Sequence, residues 1–289
     1  MRQHNPGKIL MKRWQRWIAI LAVMVATVYV FLVGLVWWKQ DSLVFQGTQG
    51  YIDLPETHGL QHEDITLDVE SGTMVRGWYV HAAGFPRATV LYFHGNGGNV
   101  SSYLGFIRRF ADAGFDSFSI DYEGYGESTG HTTEANAYRD AAAAWSWLTG
   151  NRGVDPKHLV IWGFSLGGGV ATQLAETHAP GALVLQSTFT SIPDVGAKAF
   201  AWIPVHLITH NLFNNLERMP RIHAPVLIAH GRADQLIPFE MGQHLFAAAN
   251  PPKAFIELNG GHNGGLLQTP SIWNDVMKFF EEAGVISLK

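Results

Sequence analysis

An apolar run from His158 to Trp162 leads without a break into Gly163-Phe164-Ser165-Leu166-Gly167, and a helical pattern follows. This G-x-S-x-G spacing constrains the chain more than any other feature. It needs a strand, a very sharp turn and a helix in immediate succession. Such a turn holds the central residue in a strained backbone conformation and presses the residues two before and two after it together. Side chains at Gly163 and Gly167 would clash there. The turn also sets Ser165 at a helix N-terminus, where backbone N–H groups and the helix dipole favour developing negative charge. Ser165 is therefore a candidate nucleophile, and the N–H of Leu166 a candidate oxyanion donor.

Beyond residue 50 the hydrophobic pattern alternates between strand and helix. Strands are expected at Asp64–Val69, Met74–His81, Ala88–Phe93, Asp116–Asp121, His158–Trp162, Ala182–Gln186, Pro225–His230 and Ala254–Leu258. Several are near-continuous apolar runs, as in parallel strands buried on both faces. The first two have no helix between them and predict an antiparallel hairpin. Leu104, Ile107, Phe110 and Ala111 line one helical face. Ala137, Ala141, Ala144, Trp145 and Leu148 line the next, with Thr133 as its cap. Ile272, Trp273, Val276, Phe279 and Phe280 line the last, with Thr269 as cap and Pro270 at its first position. The order predicts an α/β fold, a doubly wound, mostly parallel eight-stranded sheet. The stretch of about 188–221 breaks the rhythm and reads as a short helical cap, in preference to a crossover helix with a long loop.

A serine hydroxyl needs a base within hydrogen-bond reach and a third group to orient that base. Asp234 follows the strand ending at His230, and His262 follows the strand ending at Leu258, behind Gly260-Gly261. Loops at the carboxyl ends of adjacent strands meet at one sheet edge. His262 is thus the expected base and Asp234 the expected acid. Asp194, in the insertion, is the competing carboxylate.

A second oxyanion donor is expected from the loop His94-Gly95-Asn96-Gly97-Gly98-Asn99, and the N–H of Asn96 is the candidate. The loop lacks the G-x-G-x-x-G or Walker spacing of a phosphate site, and no lysine follows it. His94 is expected to be structural.

Upstream, residues Ile18 to Trp38 form 21 consecutive uncharged positions. As a helix they span roughly 31 Å, close to the hydrocarbon thickness of a bilayer. Trp14, Trp17, Trp37 and Trp38 flank them like an aromatic belt. A cleaved signal peptide would have a shorter apolar core and an A-x-A-like end, whereas this run ends in Val36-Trp37-Trp38. A buried core helix is the less favoured reading, because the segment is apolar on all faces. Arg2, Lys8, Lys12, Arg13 and Arg16 precede the span, and only Lys39 follows before Arg76. The positive-inside rule then puts the N-terminus in the cytoplasm and the rest outside. The expected setting is a bacterial inner membrane facing the periplasm, with an organelle lumen left open. The expected layout is a basic terminus over 1–17, an anchor over 18–38, a linker over 39–50 and one domain over 51–289.

About 240 residues beyond the span fit one large α/β domain. Among 289 residues there is no cysteine, which excludes disulfides, thiol nucleophiles and cysteine-based metal sites. A net charge of −4 gives no hint of a nucleic-acid partner.

Taken in order, HGNGGN (94–99), DYEGYGES (121–128), GFSLGG (163–168), HGRADQLIP (230–238) and GGH (260–262) resemble the α/β-hydrolase superfamily. The likeness is to its bacterial membrane-anchored serine hydrolases, near monoacylglycerol-lipase-like, acyl-thioesterase-like and serine-aminopeptidase-like groups. It implies an α/β-hydrolase fold, the roles given above for Ser165, His262 and Asp234, and no cofactor or metal. Relatives usually carry Arg where this chain has Glu123, which puts a local ion-pair network in doubt but not the triad. The resemblance implies cleavage of carboxylic esters or thioesters, with a small or lipid-like acyl substrate as partner. Two alternatives stay open. A serine aminopeptidase would need an acid near the cap for the substrate amine, and Asp194 and Glu217 are the only acids there. A binding protein retaining the fold would usually have lost a triad member.

Overall fold

The computed structural model describes residues 13–70, 72–264 and 270–286. Arg2, Lys8, Lys12 and the Thr269 cap lie outside the described residues. Contacts divide the chain into two units that meet between Gln40 and Asp41.

The first unit is helix α1, Arg13–Trp38, with no buried residue and a mean hydropathy of 2.7 over its most apolar window. It starts ahead of the expected span, at Arg13, because nothing in Arg13–Trp17 stops a helix. Its length and composition suffice to cross a bilayer.

The second unit begins at Asp41, inside the one-turn helix α2 (Gln40–Val44). Its sheet has eight strands: β1 (His62–Glu70), β2 (Thr73–Val80), β3 (Ala88–Phe93), β4 (Phe115–Ile120), β5 (Leu159–Phe164), β6 (Ala182–Gln186), β7 (Val226–Gly231) and β8 (Lys253–Leu258). Their spatial order is β1-β2-β4-β3-β5-β6-β7-β8. β1 and β2 form the expected antiparallel hairpin, β2 runs antiparallel to β4, and the rest are parallel. Strand β5 runs two residues past the expected end, because Gly163 and Phe164 still pair with Leu185 and Gln186.

Alternate side chains of each strand feed two layers. Leu91 and Phe93 of β3 join α4 (Glu134–Ser146), α5 (Leu166–Thr177) and α9 (Phe239–Ala248) on one face. Val90 and Tyr92 join α3 (Leu104–Asp112) and α10 (Pro270–Glu282) on the other. The helical faces read from the sequence are the buried ones, including Phe110, Ala144 and Phe280. Thr133 caps α4, its hydroxyl accepting the Asn136 N–H at 3.1 Å.

Between β6 and β7 lie three short helices, α6 (Ile192–Ala199), α7 (Val205–Ile208) and α8 (Asn215–Arg218). Phe213, fully buried, fastens this insertion to the body against the rings of Tyr138 and Phe45. Glu134 accepts the Phe213 N–H at 2.9 Å and the Leu212 N–H at 2.5 Å.

Residues 41–50 belong to the second unit. Gln46–Gly47 pairs in parallel with Gly97–Gly98, and Gly47 lies so close to the Tyr125 ring that a Cβ would overlap it. Two consecutive residues are too short a run to leave a strand signature in sequence.

Candidate active site

At the end of β5 the chain turns through Ser165, whose φ is 53° and ψ −117°. Few residues other than glycine adopt this backbone, and it is over-determined here. The Ser165 N–H donates to the Gln186 carbonyl at 2.9 Å, and the Thr188 hydroxyl donates to the Ser165 carbonyl at 2.7 Å. The flanking glycines are explained differently from one another. A Cβ on Gly163 would overlap Gly167 and Gly168, the clash the pentapeptide implies. A Cβ on Gly167 would instead overlap the Phe93 and His94 carbonyls. The second glycine is thus required by the end of β3, the neighbouring strand, which the pentapeptide alone does not reveal.

The three residues expected to act together lie on three loops at one sheet edge, and they meet. His262 Nε2 is 2.9 Å from Ser165 Oγ, and His262 Nδ1 is 2.8 Å from Asp234 Oδ2. Ser165 and Asp234 are 6% and 7% exposed. The other carboxylate oxygen, Oδ1, accepts the N–H groups of Leu236 and Ile237 at 2.9 and 2.8 Å. Burial alone would raise the Asp234 carboxyl. Hydrogen bonds from His230, His262 and the Ile237 N–H outweigh it and hold the group well below the usual carboxylate range.

Sequence reasoning gave His230 no role. It is fully buried, its Nε2 donating to the Ile237 carbonyl at 2.9 Å and lying 3.5 Å from Asp234 Oδ2. It therefore braces the Asp234 loop from beneath. Asp194, the competing carboxylate, accepts from the Thr190 hydroxyl at 2.6 Å in the first turn of α6 and has no bond to Ser165 or His262.

The loop after β3 abuts the turn through the Gly167 contact. His94 is fully buried beneath it, stacked on Tyr103 and tilted against Tyr122. Asn96 is held on two sides. Its carbonyl accepts the Gln46 N–H at 3.1 Å and the Tyr125 hydroxyl at 2.8 Å, and its side-chain amide donates to the Val44 carbonyl at 3.3 Å. Its own N–H makes no hydrogen bond among the described residues. The N–H of Leu166, first residue of α5, has no intrahelical acceptor.

Glu123, where the resemblance implies an Arg, acts as the acceptor of a local network. Its carboxylate accepts from Asn136 Nδ2 at 3.0 Å and from Arg139 Nη2 at 3.3 Å. Its N–H donates to Asp140 Oδ2 at 2.9 Å. Burial, with Glu123 adding repulsion, pushes the Asp140 carboxyl up to about 7. Among the described residues no three His, Asp or Glu side chains converge as a metal site.

Residues 88–205 match the alpha/beta hydrolase fold family. Over 272 residues the chain is 32% identical to the uncharacterized protein Rv2307c of Mycobacterium tuberculosis, covering 93% of this chain and 95% of that one. It is 30% identical to the lysophosphatidylserine lipase ABHD12 of Mus musculus, over 78% of this chain and 67% of that one. Its fold resembles that of the Pyrococcus furiosus esterase Pf2001, with a TM-score of 0.68 at 21% identity over 82% of this chain and 98% of that one. With relatives at this identity across nearly its whole length, on this sheet order and this strand-to-helix turn, the chain belongs to the alpha/beta hydrolase superfamily.

Proposed function

We propose that the protein is a membrane-anchored serine hydrolase that cleaves carboxylic esters or thioesters through an acyl-enzyme. The observation that carries this reading is the position of His262, within hydrogen-bond reach of both Ser165 Oγ and Asp234 Oδ2. Ser165 Oγ attacks the substrate carbonyl as His262 Nε2 takes its proton. Asp234 fixes the imidazole tautomer and balances the imidazolium. The oxyanion of the tetrahedral intermediate accepts the Leu166 and Asn96 N–H groups. His262 returns the proton to the departing alcohol or thiol, and water then enters by the same route to release the acid and free Ser165.

The lipase and esterase named among its relatives support an ester-type bond. The aminopeptidase alternative draws less support. Asp194 already accepts the Thr190 hydroxyl and Glu217 the Asn214 side-chain amide, each at 2.6 Å.

Helix α1 is the anchor in this reading, and Arg13 and Arg16 at its start favour a cytoplasmic N-terminus. A bacterial inner membrane with the catalytic unit in the periplasm is the setting proposed.

Fluorophosphonate labelling is the direct test. Labelling of the parent that vanishes in Ser165→Ala and His262→Ala supports an activated serine. A folded parent that takes no label overturns the reading. A p-nitrophenyl ester series of increasing chain length, run against aminoacyl substrates, then separates esterase from aminopeptidase.

A further inference from the structure

We propose that the exposed face of the β6–β7 insertion docks on the lipid bilayer beside the anchor, so that the catalytic unit lies with this face in the headgroup layer. The inference rests on the reading of α1 as a membrane span, and it adds which surface of the catalytic unit meets the lipid.

The first observation is compositional and geometric together. From Ala199 to Leu216 the insertion carries no Asp, Glu, Lys or Arg over 18 residues, in a chain that is 15% charged. The stretch is not a hidden core segment. Phe213 and Ile203 point inward and are buried, whereas Phe200, Trp202, Leu207 and Leu212 are exposed, Leu207 at 86%. Exposed apolar patches rimmed by polar residues mark surfaces that meet a protein or a membrane. An aromatic and aliphatic face without charge suits the bilayer interface, where tryptophan in particular is favoured.

The second observation fixes where that face must be. The apolar span ends at Trp38, and Asp41 follows after only Lys39 and Gln40. Three residues reach at most about 10 Å. Asp41 is already part of the catalytic unit, and its carboxylate is bonded to the insertion itself. Oδ1 accepts the Asn211 side-chain amide at 2.6 Å and lies 3.2 Å from His210 Nε2. Asn211 is almost fully buried, so this tie is built into the body and does not dangle at its surface. Asp41 is therefore held within about 10 Å of the hydrocarbon boundary, with Asn211 of the insertion one hydrogen bond beyond it, while each headgroup layer is itself roughly 5–8 Å deep. Phe85, by contrast, is 98% exposed in the β2–β3 loop, at the amino-terminal edge of the parallel strands, opposite the triad.

A consequence follows for substrate entry. The insertion leaves the carboxyl end of β6, beside the turn that carries Ser165, whose N–H is bonded to Gln186 at the end of that strand. A face docked there gives a lipid-like acyl substrate a path from the bilayer that avoids water.

The chain has no cysteine, so a single one introduced for labelling is unique. The full-length protein is reconstituted in phosphatidylcholine vesicles with an environment-sensitive fluorophore on Leu207→Cys, Phe200→Cys, Val28→Cys or Phe85→Cys. Nitroxide lipids labelled near the top or near the end of the acyl chain then act as quenchers. Shallow nitroxides are expected to quench Leu207→Cys and Phe200→Cys at least two-fold more than Phe85→Cys, with Val28→Cys quenched by the deep ones. If Val28→Cys is quenched and the two insertion labels behave like Phe85→Cys, the anchor stands and the docking is overturned. If Val28→Cys is itself unquenched, the span reading falls and the docking with it. Insertion labels shielded from water but not quenched mean that protein, a second copy included, covers the face, which also overturns the proposal.

Discussion

The N–H of Gln46 donates to the carbonyl of Asn96 at 3.1 Å, joining the segment that follows α1 to the loop beside the candidate nucleophile. The Tyr125 hydroxyl shares that carbonyl at 2.8 Å, and Val44 takes the Asn96 side chain. The Gly95 carbonyl, which shares a peptide plane with the Asn96 N–H, accepts from His94 Nδ1 at 2.8 Å, so with the carbonyl and side chain of Asn96 also held, that N–H has one direction. A chain beginning at Asp41 keeps this arrangement, and one beginning at Tyr51 loses it. The shorter chain is expected to lose on the order of 10²-fold or more in kcat for a p-nitrophenyl ester, the scale of one oxyanion donor. Tyr125→Phe removes one of the two donors and keeps the fold. It is expected to lower kcat several-fold with KM little changed, measured on the same ester.

Asp234 supplies a prediction with a defined sign. Its carboxyl is depressed in the folded protein, so the stability it contributes is present above the ordinary carboxylate range and lost as pH falls through its folded value. Asp234→Asn removes that acid-side loss. It also removes the acceptor that fixes the His262 tautomer, which costs ~10⁴ in kcat in comparable triads. The expected result is a folded variant whose thermal midpoint changes less than the parent's between pH 5 and pH 3 and whose esterase activity is nearly gone. Circular dichroism melts and a fluorophosphonate rate read the two halves separately.

Much of this arrangement was legible in the residues. The eight strands, the hairpin, the buried faces of α3, α4 and α10 and the meeting of Ser165, Asp234 and His262 all follow from period and spacing, because burial and strand-end placement leave a local signature. What was not legible depended on contacts between distant segments. Gln46 finds Asn96 across 50 positions, Gly167 answers to a carbonyl on another strand, and His230 reads as the last residue of an apolar strand. Glu123 misled in a different way. The doubt about a local network assumed an arginine's role, while Arg139 and Asn136 approach from α4 to satisfy a carboxylate instead.

The same region predicts an unusual pH dependence of stability. Asp140 is fully buried, with its carboxyl pushed up to about 7 from its ordinary value of 3.8 by burial and by Glu123 nearby. The folded state then binds a proton that the unfolded state releases between these values. Stability from this site is greatest below about pH 4 and falls as pH rises to about 7, by at most about 1.4 kcal/mol per pH unit. This runs opposite to the Asp234 contribution. Asp140→Asn retains an oxygen for the Glu123 N–H and cannot titrate. The thermal midpoint of the variant is expected to be flatter than the parent's between pH 5 and pH 8, with unchanged fluorophosphonate labelling. An equal slope in parent and variant would remove Asp140 as its source.

Gly167 offers the sharpest steric test. A Cβ there would stand 2.6 Å from the His94 carbonyl oxygen and closer still to that of Phe93. These are backbone atoms of a central strand, so no side chain can swing aside, and relief requires β3 and the turn to separate. Separation moves Ser165 away from the loop carrying Asn96. Gly167→Ala is expected to cost about 2–4 kcal/mol, within the range of severe overpacking, and to slow fluorophosphonate labelling by at least ~10²-fold in the fraction that folds. Gly97→Ala serves as the comparison, because nothing lies within 4 Å of a Cβ at that position. It should melt within about 1 kcal/mol of the parent. Matching losses in both variants would mean that general loop disorder, and not the contact with β3, sets the need for glycine at 167.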